Sequence, residues 1–196
     1  MTATHPIDPL FPGIAPEVVA AYREAPDNVV AEILDGALSL MPRPRPRHAK
    51  AATRLAAALR GFHDPDDGEP GGWVVLVEPE LHLGPRPDVI DPDLAGWHRA
   101  RLPTEPEEAA IRVAPNWVCE ILSESTEVMD RGAKRRIYRR EGIDHLWLCD
   151  PRLNTLEVYR FDRGLWTELD TYAGNVKVRA EPFEAIELDL ARLWRW

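Results

Sequence analysis

Cysteine is almost absent: Cys119 and Cys149 are the two in 196 residues, too few for a disulfide framework or a zinc site. Both fall in runs that read as buried strands, where a small thiol behaves as a hydrophobe, so reduced core thiols are expected. No stretch approaches the roughly 20 consecutive apolar residues of a membrane span. The start, Met1-Thr-Ala-Thr-His-Pro6, lacks the basic region and apolar run of an export signal, and a cytoplasmic location is the expectation. Positive charge is in deficit, 24 Lys and Arg against 33 Asp and Glu for a net charge of −9. That excludes a protein that coats nucleic acid nonspecifically, because such binding draws its affinity from neutralised phosphates. It leaves room for a local basic face, and positive charge gathers at Arg43-Pro-Arg-Pro-Arg47 and from Arg131 to Arg140. No internal repeat is visible.

What is present fits one globular domain over residues 1–196, with 44% hydrophobic and 29% charged residues and enough chain to bury a core. The stretch from Val113 to Pro151 organises it, reading as strand, turn, helix and strand. The first strand, Trp117 to Leu122, is apolar apart from Glu120, a composition expected inside a sheet covered on both faces. A lone carboxylate there is costly unless a cation, a donor or a proton compensates it. The following helix offers partners: Asp130, Lys134 and Tyr138 recur every four residues and share one side. The second strand, His145 to Cys149, closes a β-α-β unit.

Upstream, Pro16 to Glu24 reads as a short helix with proline in its first turn. Val29 to Leu34 and Ala37 to Met41 flank Asp35-Gly36, a hairpin signal. Glu32 shares a strand face with Val30 and Leu34, which makes that face wet or points Glu32 at a site. The alternating prolines from Pro42 to Pro46 enforce an extended approach to a helix over His48 to Phe62, with Ala52, Leu55, Leu59 and Phe62 as its apolar stripe. His48, in the first turn, is either a phosphate contact or a satisfied surface histidine. Trp73 to Leu83 reads as one alternating strand with Glu78, Glu80 and His82 on one face, either an exposed face or a metal-binding row with Glu80 as the extra carboxylate. Arg86-Pro87-Asp88-Val89-Ile90 is a short strand that presents Asp88, while Asp91 and Asp93 with their Pro-Asp-Leu-Ala-Gly context suggest a turn leaving the sheet. Pro92 to Ala110 reads as a polar loop or short surface helix. Thr155 to Arg160, Leu165 to Leu169 and Val176 to Val178 form an antiparallel extension, and Leu188 to Trp196 a short amphipathic segment.

Arg86-Pro87-Asp88-Val89, Ala114-Pro115 through Glu120-Ile-Leu-Ser123, Ser125-Thr126, the Asp130/Lys134/Tyr138 helix, Gly142-Ile143 and Leu146-Trp147-Leu148 with Asp150-Pro151 together resemble the Uma-type restriction endonucleases, a bacterial group of the PD-(D/E)xK nuclease superfamily. Glu32-Ile-Leu-Asp35-Gly36 and Pro44, Pro46 and His48 extend the likeness over most of the chain. The resemblance implies an α/β fold of the α+β, mixed-sheet kind: a restriction-endonuclease-like core with an N-terminal hairpin and a C-terminal antiparallel extension. It also implies a metal-dependent nuclease, a DNA endonuclease in the first instance, with a homodimer as a further expectation.

On this reading Asp88 and Glu120 hold Mg²⁺, or Mn²⁺ in its place, because a hard cation wants clustered carboxylate oxygens. The resemblance adds the Ile121 backbone carbonyl as a ligand. The chain departs from the superfamily at Leu122, where lysine is usual, and Lys134 on the following helix resembles its replacement; Tyr138 orients it or fills the core. Glu124 stands where the family often has proline. Glu32, His48, Glu80 and Tyr138 form a second tier of site residues. The competing reading is a catalytically silent nuclease-like domain that acts as a binding or interaction module, since fold alone does not establish activity.

Overall fold

In a computed structural model that describes residues 8–195, proline and glycine set most element boundaries. The reading of Met1 to Pro6 lies outside those residues, as does Trp196. Helix α1 (Pro16–Arg23) has proline at its start, where a missing N–H costs nothing. Strands β1 (Val29–Leu34) and β2 (Ala37–Pro42) pair antiparallel. Asp35 and Gly36 between them both take left-handed backbone, φ 51° and 79°, as a tight hairpin turn demands. The helix expected over His48 to Phe62 divides at Leu59 into α2 (Pro46–Ala58) and α3 (Arg60–His63).

The strand expected from Trp73 to Leu83 is two strands in two sheets. β3 (Trp73–Val77) ends at Glu78, which adopts φ 48°, and β4 (Leu81–Leu83) follows Pro79 and Glu80. Period-two alternation continues through this break, but a left-handed residue followed by proline cannot prolong a strand. β5 (Asp88–Ile90) pairs with β4 and β1, so a four-stranded sheet runs β2-β1-β5-β4.

Within the segment read as a polar loop, β6 (Leu94–His98) lies in the larger sheet between β3 and β7 (Trp117–Ile121). Its glycine concealed it, and the structure explains that glycine. A Cβ on Gly96 would stand 3.1 Å from Trp117 Cε3 and 3.3 Å from Trp73 Cε3, so two indoles occupy the space that a side chain would need. After β7 come α4 (Glu127–Met129), a π-helical turn (Asp130–Lys134), α5 (Arg135–Arg140) and β8 (His145–Asp150). β8 runs parallel to β7, which completes the expected β-α-β unit. The hairpin β9 (Thr155–Asp162) and β10 (Leu165–Ala173) extends the sheet to β10-β9-β8-β7-β6-β3. β11 (Lys177–Val178), β12 (Leu188–Asp189) and α6 (Ala191–Trp194) follow. The fold is thus the expected mixed-sheet restriction-endonuclease-like architecture, with hairpin and extension at its two ends.

Both faces of the large sheet are covered. Trp117, Cys119, Ile121, Trp147 and Cys149 face Leu55, Leu59 and Phe62 of the α2–α3 arm, with Phe183, Leu188, Leu190 and Leu193 of the C-terminal segment closing the layer. Val118, Leu122, Leu146 and Leu148 face Ile137 and Tyr138 of α5, joined by Leu34, Leu81, Leu83 and Ile90 of the small sheet. The two cysteines are free and buried, and burial pushes both thiols up. Among the described residues no helix is long and apolar enough to cross a membrane.

Gly96→Ala should cost about 1–3 kcal/mol, the usual range for overpacking. Urea denaturation of the variant measures it, and an unchanged midpoint would show that the indoles move aside freely.

Candidate active site

Alternation along β7 sends Glu120 to the same side as Val118 and Leu122, toward the helix. There Asp130 and Lys134 stand at the two ends of the π turn, a widened geometry often met at functional sites. The chain has three lysines, and Lys134 is the one delivered to the sheet. Its Nζ lies 2.8 Å from Glu32 Oε1, 3.4 Å from Glu120 Oε1 and 3.6 Å from Asp130 Oδ1. Tyr138, one turn on, donates its hydroxyl to Glu120 Oε1. All five side chains are buried, Glu32 entirely.

One ammonium among three buried carboxylates leaves negative charge in excess. Burial pushes the Glu120 carboxyl well up, and Lys134 pulls it only partly back. Burial likewise raises Asp130, to about 6. For Lys134 burial opposes the charge, but Glu120, Glu32 and Asp130 outweigh it and hold the ammonium protonated. Asp91 adds to the excess: burial first, then Glu32 and Glu80, raise it to about 7. Its backbone N–H donates to Glu32 Oε1 at 3.1 Å.

Asp93 completes the group from the entrance of β6. Its Oδ2 accepts the Ile121 N–H at 2.6 Å, and its Oδ1 lies 3.1 Å from His48 Nε2. His48 sits in the first turn of α2, and its ordinary pKa is raised: burial opposes protonation, but Asp93 overrides it. One aspartate therefore ties the α2 N-terminus to the strand end next to Glu120.

Asp88, expected beside Glu120, is not brought to this group. It belongs to β5 in the small sheet, where its carboxylate accepts the Asp35 N–H and an Arg140 guanidinium hydrogen bond. A Pro-Asp pair occurs at both Pro87-Asp88 and Pro92-Asp93. The second immediately precedes β6, and the β6–β7 pairing, invisible while β6 read as loop, is what brings Asp93 to the Ile121 N–H beside Glu120. Glu80 is also elsewhere: its Oε1 lies 2.8 Å from His82 Nε2 and its Oε2 accepts the Tyr22 hydroxyl at 3.1 Å, a network under α1. Glu78, freed by the strand break, reaches the site instead. Leu122 is buried in the core. In the turn holding Glu124, Ser123 Oγ lies 3.0 Å from both Ser125 Oγ and Thr126 Oγ1, so hydroxyls brace what proline would stiffen.

These groups form the floor of a cleft of about 800 Å³. Glu32, Glu78, Asp91, Asp93, Glu120 and Asp130 line it with Lys134 and His48, and Arg43, Arg45, Arg47 and Arg152 stand around them. Residues 18–191 match the Uma2 family, described as "Putative restriction endonuclease". The chain belongs to the Uma2 family. A solved structure described as a putative nuclease belonging to DUF820 from Anabaena variabilis is similar to this Uma2 chain at 19% identity, over 90% of this chain and 97% of that one, with a TM-score of 0.69. That likeness concerns the fold. No curated protein matches.

Whether the residues suit a hard cation can be judged from what is left unpaired. Glu32 Oε2, Asp91 Oδ1, Asp130 Oδ1 and His48 Nδ1 are buried without a hydrogen-bond partner, and all four residues line the cleft. A buried carboxylate oxygen without a partner is costly and favours a proton or a cation. Among the described residues no three His, Cys, Asp or Glu side chains form a ready-made ligand set, because Lys134 stands between the carboxylates. The donor chemistry fits Mg²⁺ or Mn²⁺, all oxygen and in excess of local positive charge.

The raised Asp91 sets the sign of a pH effect. From about pH 4 to about pH 7 the unfolded chain has lost the proton that the folded chain keeps, so stability falls as pH rises, by up to about 1.4 kcal/mol per unit. Asp91→Asn should flatten that part of the profile. Chemical denaturation at several pH values measures it; parallel profiles for the two proteins would mean that Asp91 ionises normally.

Proposed function

We propose that this chain is a metal-dependent nuclease that hydrolyses phosphodiester bonds of nucleic acid, with DNA as the first substrate to test. The observation that carries the proposal is the cleft's charge arrangement: Glu120, Asp93 and Lys134 converge on an acidic floor beneath arginines. Membership of a family described as restriction endonucleases supports the same reading.

Asp93 and Glu120, with the Ile121 carbonyl beside them, would hold the cation, and Asp93 here takes the place that the sequence reading assigned to Asp88. Bound there, Mg²⁺ lowers the pKa of water and neutralises charge on the phosphate. The protein's own groups do the rest. Tyr138 fixes one Glu120 oxygen, which leaves the other to the cleft. His48 and the Ile121 N–H fix Asp93. Lys134 presents an ammonium that stabilises the charge growing on a phosphate, the task that the superfamily usually gives to the residue at the position of Leu122. Leu122 makes that wall apolar, which strengthens each charge interaction near it.

Two measurements separate the residues. With Mg²⁺ or Mn²⁺ titrated and melting temperature as readout, Glu120→Gln and Asp93→Asn should lose the metal-induced rise, while Asp88→Asn should keep it. A metal response that survives Asp93→Asn and vanishes in Asp88→Asn would return the site to Asp88. In cleavage of a DNA substrate, Lys134→Arg keeps a cation for the buried carboxylates but changes its geometry, and activity should fall by about 10²–10³ while the fold persists. Lys134→Met should fall at least as far and also lose about 3–5 kcal/mol of stability at neutral pH, because three carboxylates lose their cation. Full activity in a folded Lys134→Arg would leave the lysine a purely structural role.

A further inference from the structure

The two basic runs have different fates, and the contrast points to a binding surface. In the second run Arg131 is taken by Glu127 and Glu157, Arg136 by Asp35, and Arg140 by Asp35, Asp88 and Glu141. Arg135 lies over the Tyr159 ring at 4.4 Å. That run fastens the helix to both sheets.

The first run is uncommitted. Arg43 donates to the Asp27 carbonyl at 3.1 Å, and the nearest carboxylate to Arg45 is Glu124 at 3.8 Å, with both side chains mostly exposed. Arg47 has no carboxylate partner among the described residues. All three line the cleft. Arg43 and Arg45 each precede a proline, which holds them extended, and Arg45 has φ −76° and ψ 159°. In that conformation Arg43 and Arg45 stand about 6 Å apart along the chain, comparable with successive phosphates along one strand. Arg47 follows in the first turn of α2, a helix that has no side-chain cap and no acidic residue in its first turn. Its amides are therefore open to an anion. Beside them His48, 8% exposed, also lines the cleft and has a buried Nδ1 without a hydrogen-bond partner.

We infer that Arg43 and Arg45, held extended by Pro44 and Pro46, together with Arg47 in the first turn of α2, form a basic ladder that grips successive phosphates of one nucleic acid strand and leads it over Glu120 and Lys134. The substrate class rests on the nuclease reading; the ladder itself is tested by binding alone. It makes the enzyme dependent on a run of phosphates rather than on a single diester. The prolines matter because a strand that meets preset charges loses less entropy on binding.

The experiment uses the full chain carrying Glu120→Gln, so that cleavage plays no part, and fluorescence anisotropy of labelled DNA about twelve nucleotides long, single-stranded and duplex, from about 50 to 200 mM salt. Arg43→Ala/Arg45→Ala/Arg47→Ala should weaken binding about tenfold or more and reduce the slope of log Kd against log salt by about 2 to 3. Arg136→Ala/Arg139→Ala should leave the slope alone. Pro44→Ala should weaken binding with the slope unchanged, since every charge remains. A labelled dinucleotide should bind far more weakly than the longer strand. A wild-type slope in the triple variant, equal loss in the Arg136/Arg139 control, or no binding of either DNA form would overturn the ladder. Active protein that cleaves DNA with an unchanged slope would sink the ladder and spare the nuclease reading. A ladder that binds in a protein that never cleaves would do the reverse.

Discussion

Lys134 reaches into a nest of buried acids, and the arrangement of the site follows from what that cation can and cannot do. Each carboxylate taken from water costs several kcal/mol unless it is paired. Lys134 reaches Glu32, Glu120 and Asp130 at once, so it lowers the cost of each without cancelling any. What remains is visible as raised carboxyls at Glu120, Asp91 and Asp130 and as buried oxygens without a hydrogen bond on Glu32, Asp91 and Asp130. A core built only for stability would have used apolar residues of similar volume. An under-compensated acidic floor is instead the condition under which a divalent cation gains most by entering.

Four elements of the fold converge on this nest. β1 brings Glu32, β7 brings Glu120, and the π turn brings Asp130 and Lys134 together. β6 brings Asp93, and it can do so because Gly96 lets the Trp73 and Trp117 rings close over the strand. A packing requirement some residues from the site thus fixes the register in which an acid meets Glu120. Asp93 then links β6, the β7 backbone and His48 of α2, so both layers of the sheet are tied where chemistry is proposed.

Much of this was legible in the residues. Glu120 in an apolar strand predicted a compensating cation, and the four-residue spacing of Asp130, Lys134 and Tyr138 delivered one on the correct side. The hairpin at Asp35-Gly36, the parallel β7–β8 pair and the C-terminal hairpin also followed from local chemistry. One failure was a strand missed: where a strand violates propensity for a tertiary reason, a local pattern cannot reveal it. Leu94-Ala-Gly-Trp-His98 lacks β-branched residues, and its glycine answers to two indoles far away in sequence. Without β6, Pro92-Asp93 read as an exit from the sheet, and Asp88, in the Arg86-Pro87-Asp88-Val89 motif, was paired with Glu120 instead. The Trp73 to Leu83 alternation failed in the opposite sense, continuing smoothly through a backbone reversal at Glu78.

The same reasoning accounts for an acidic protein that could handle a polyanion. Net charge of −9 describes the whole surface, yet a phosphate responds to what lies within a Debye length, about 8–10 Å at moderate salt. The arginines from Arg131 to Arg140 that bond carboxylates contribute little field there. Those at Arg43, Arg45 and Arg47 border the cleft, while Glu32, Glu120 and Asp130 of its floor lie buried. The buried acids and the bordering arginines are thus segregated by depth, the arrangement on which the proposed function draws. Lysine at the position of Leu122 would have put the ammonium on β7 itself. Carrying it on the helix places it on an element that Arg131 and Arg140 already clamp to Glu157 and Asp88. Asp88, which the sequence reading gave to the metal, therefore helps to hold the helical segment that follows Lys134.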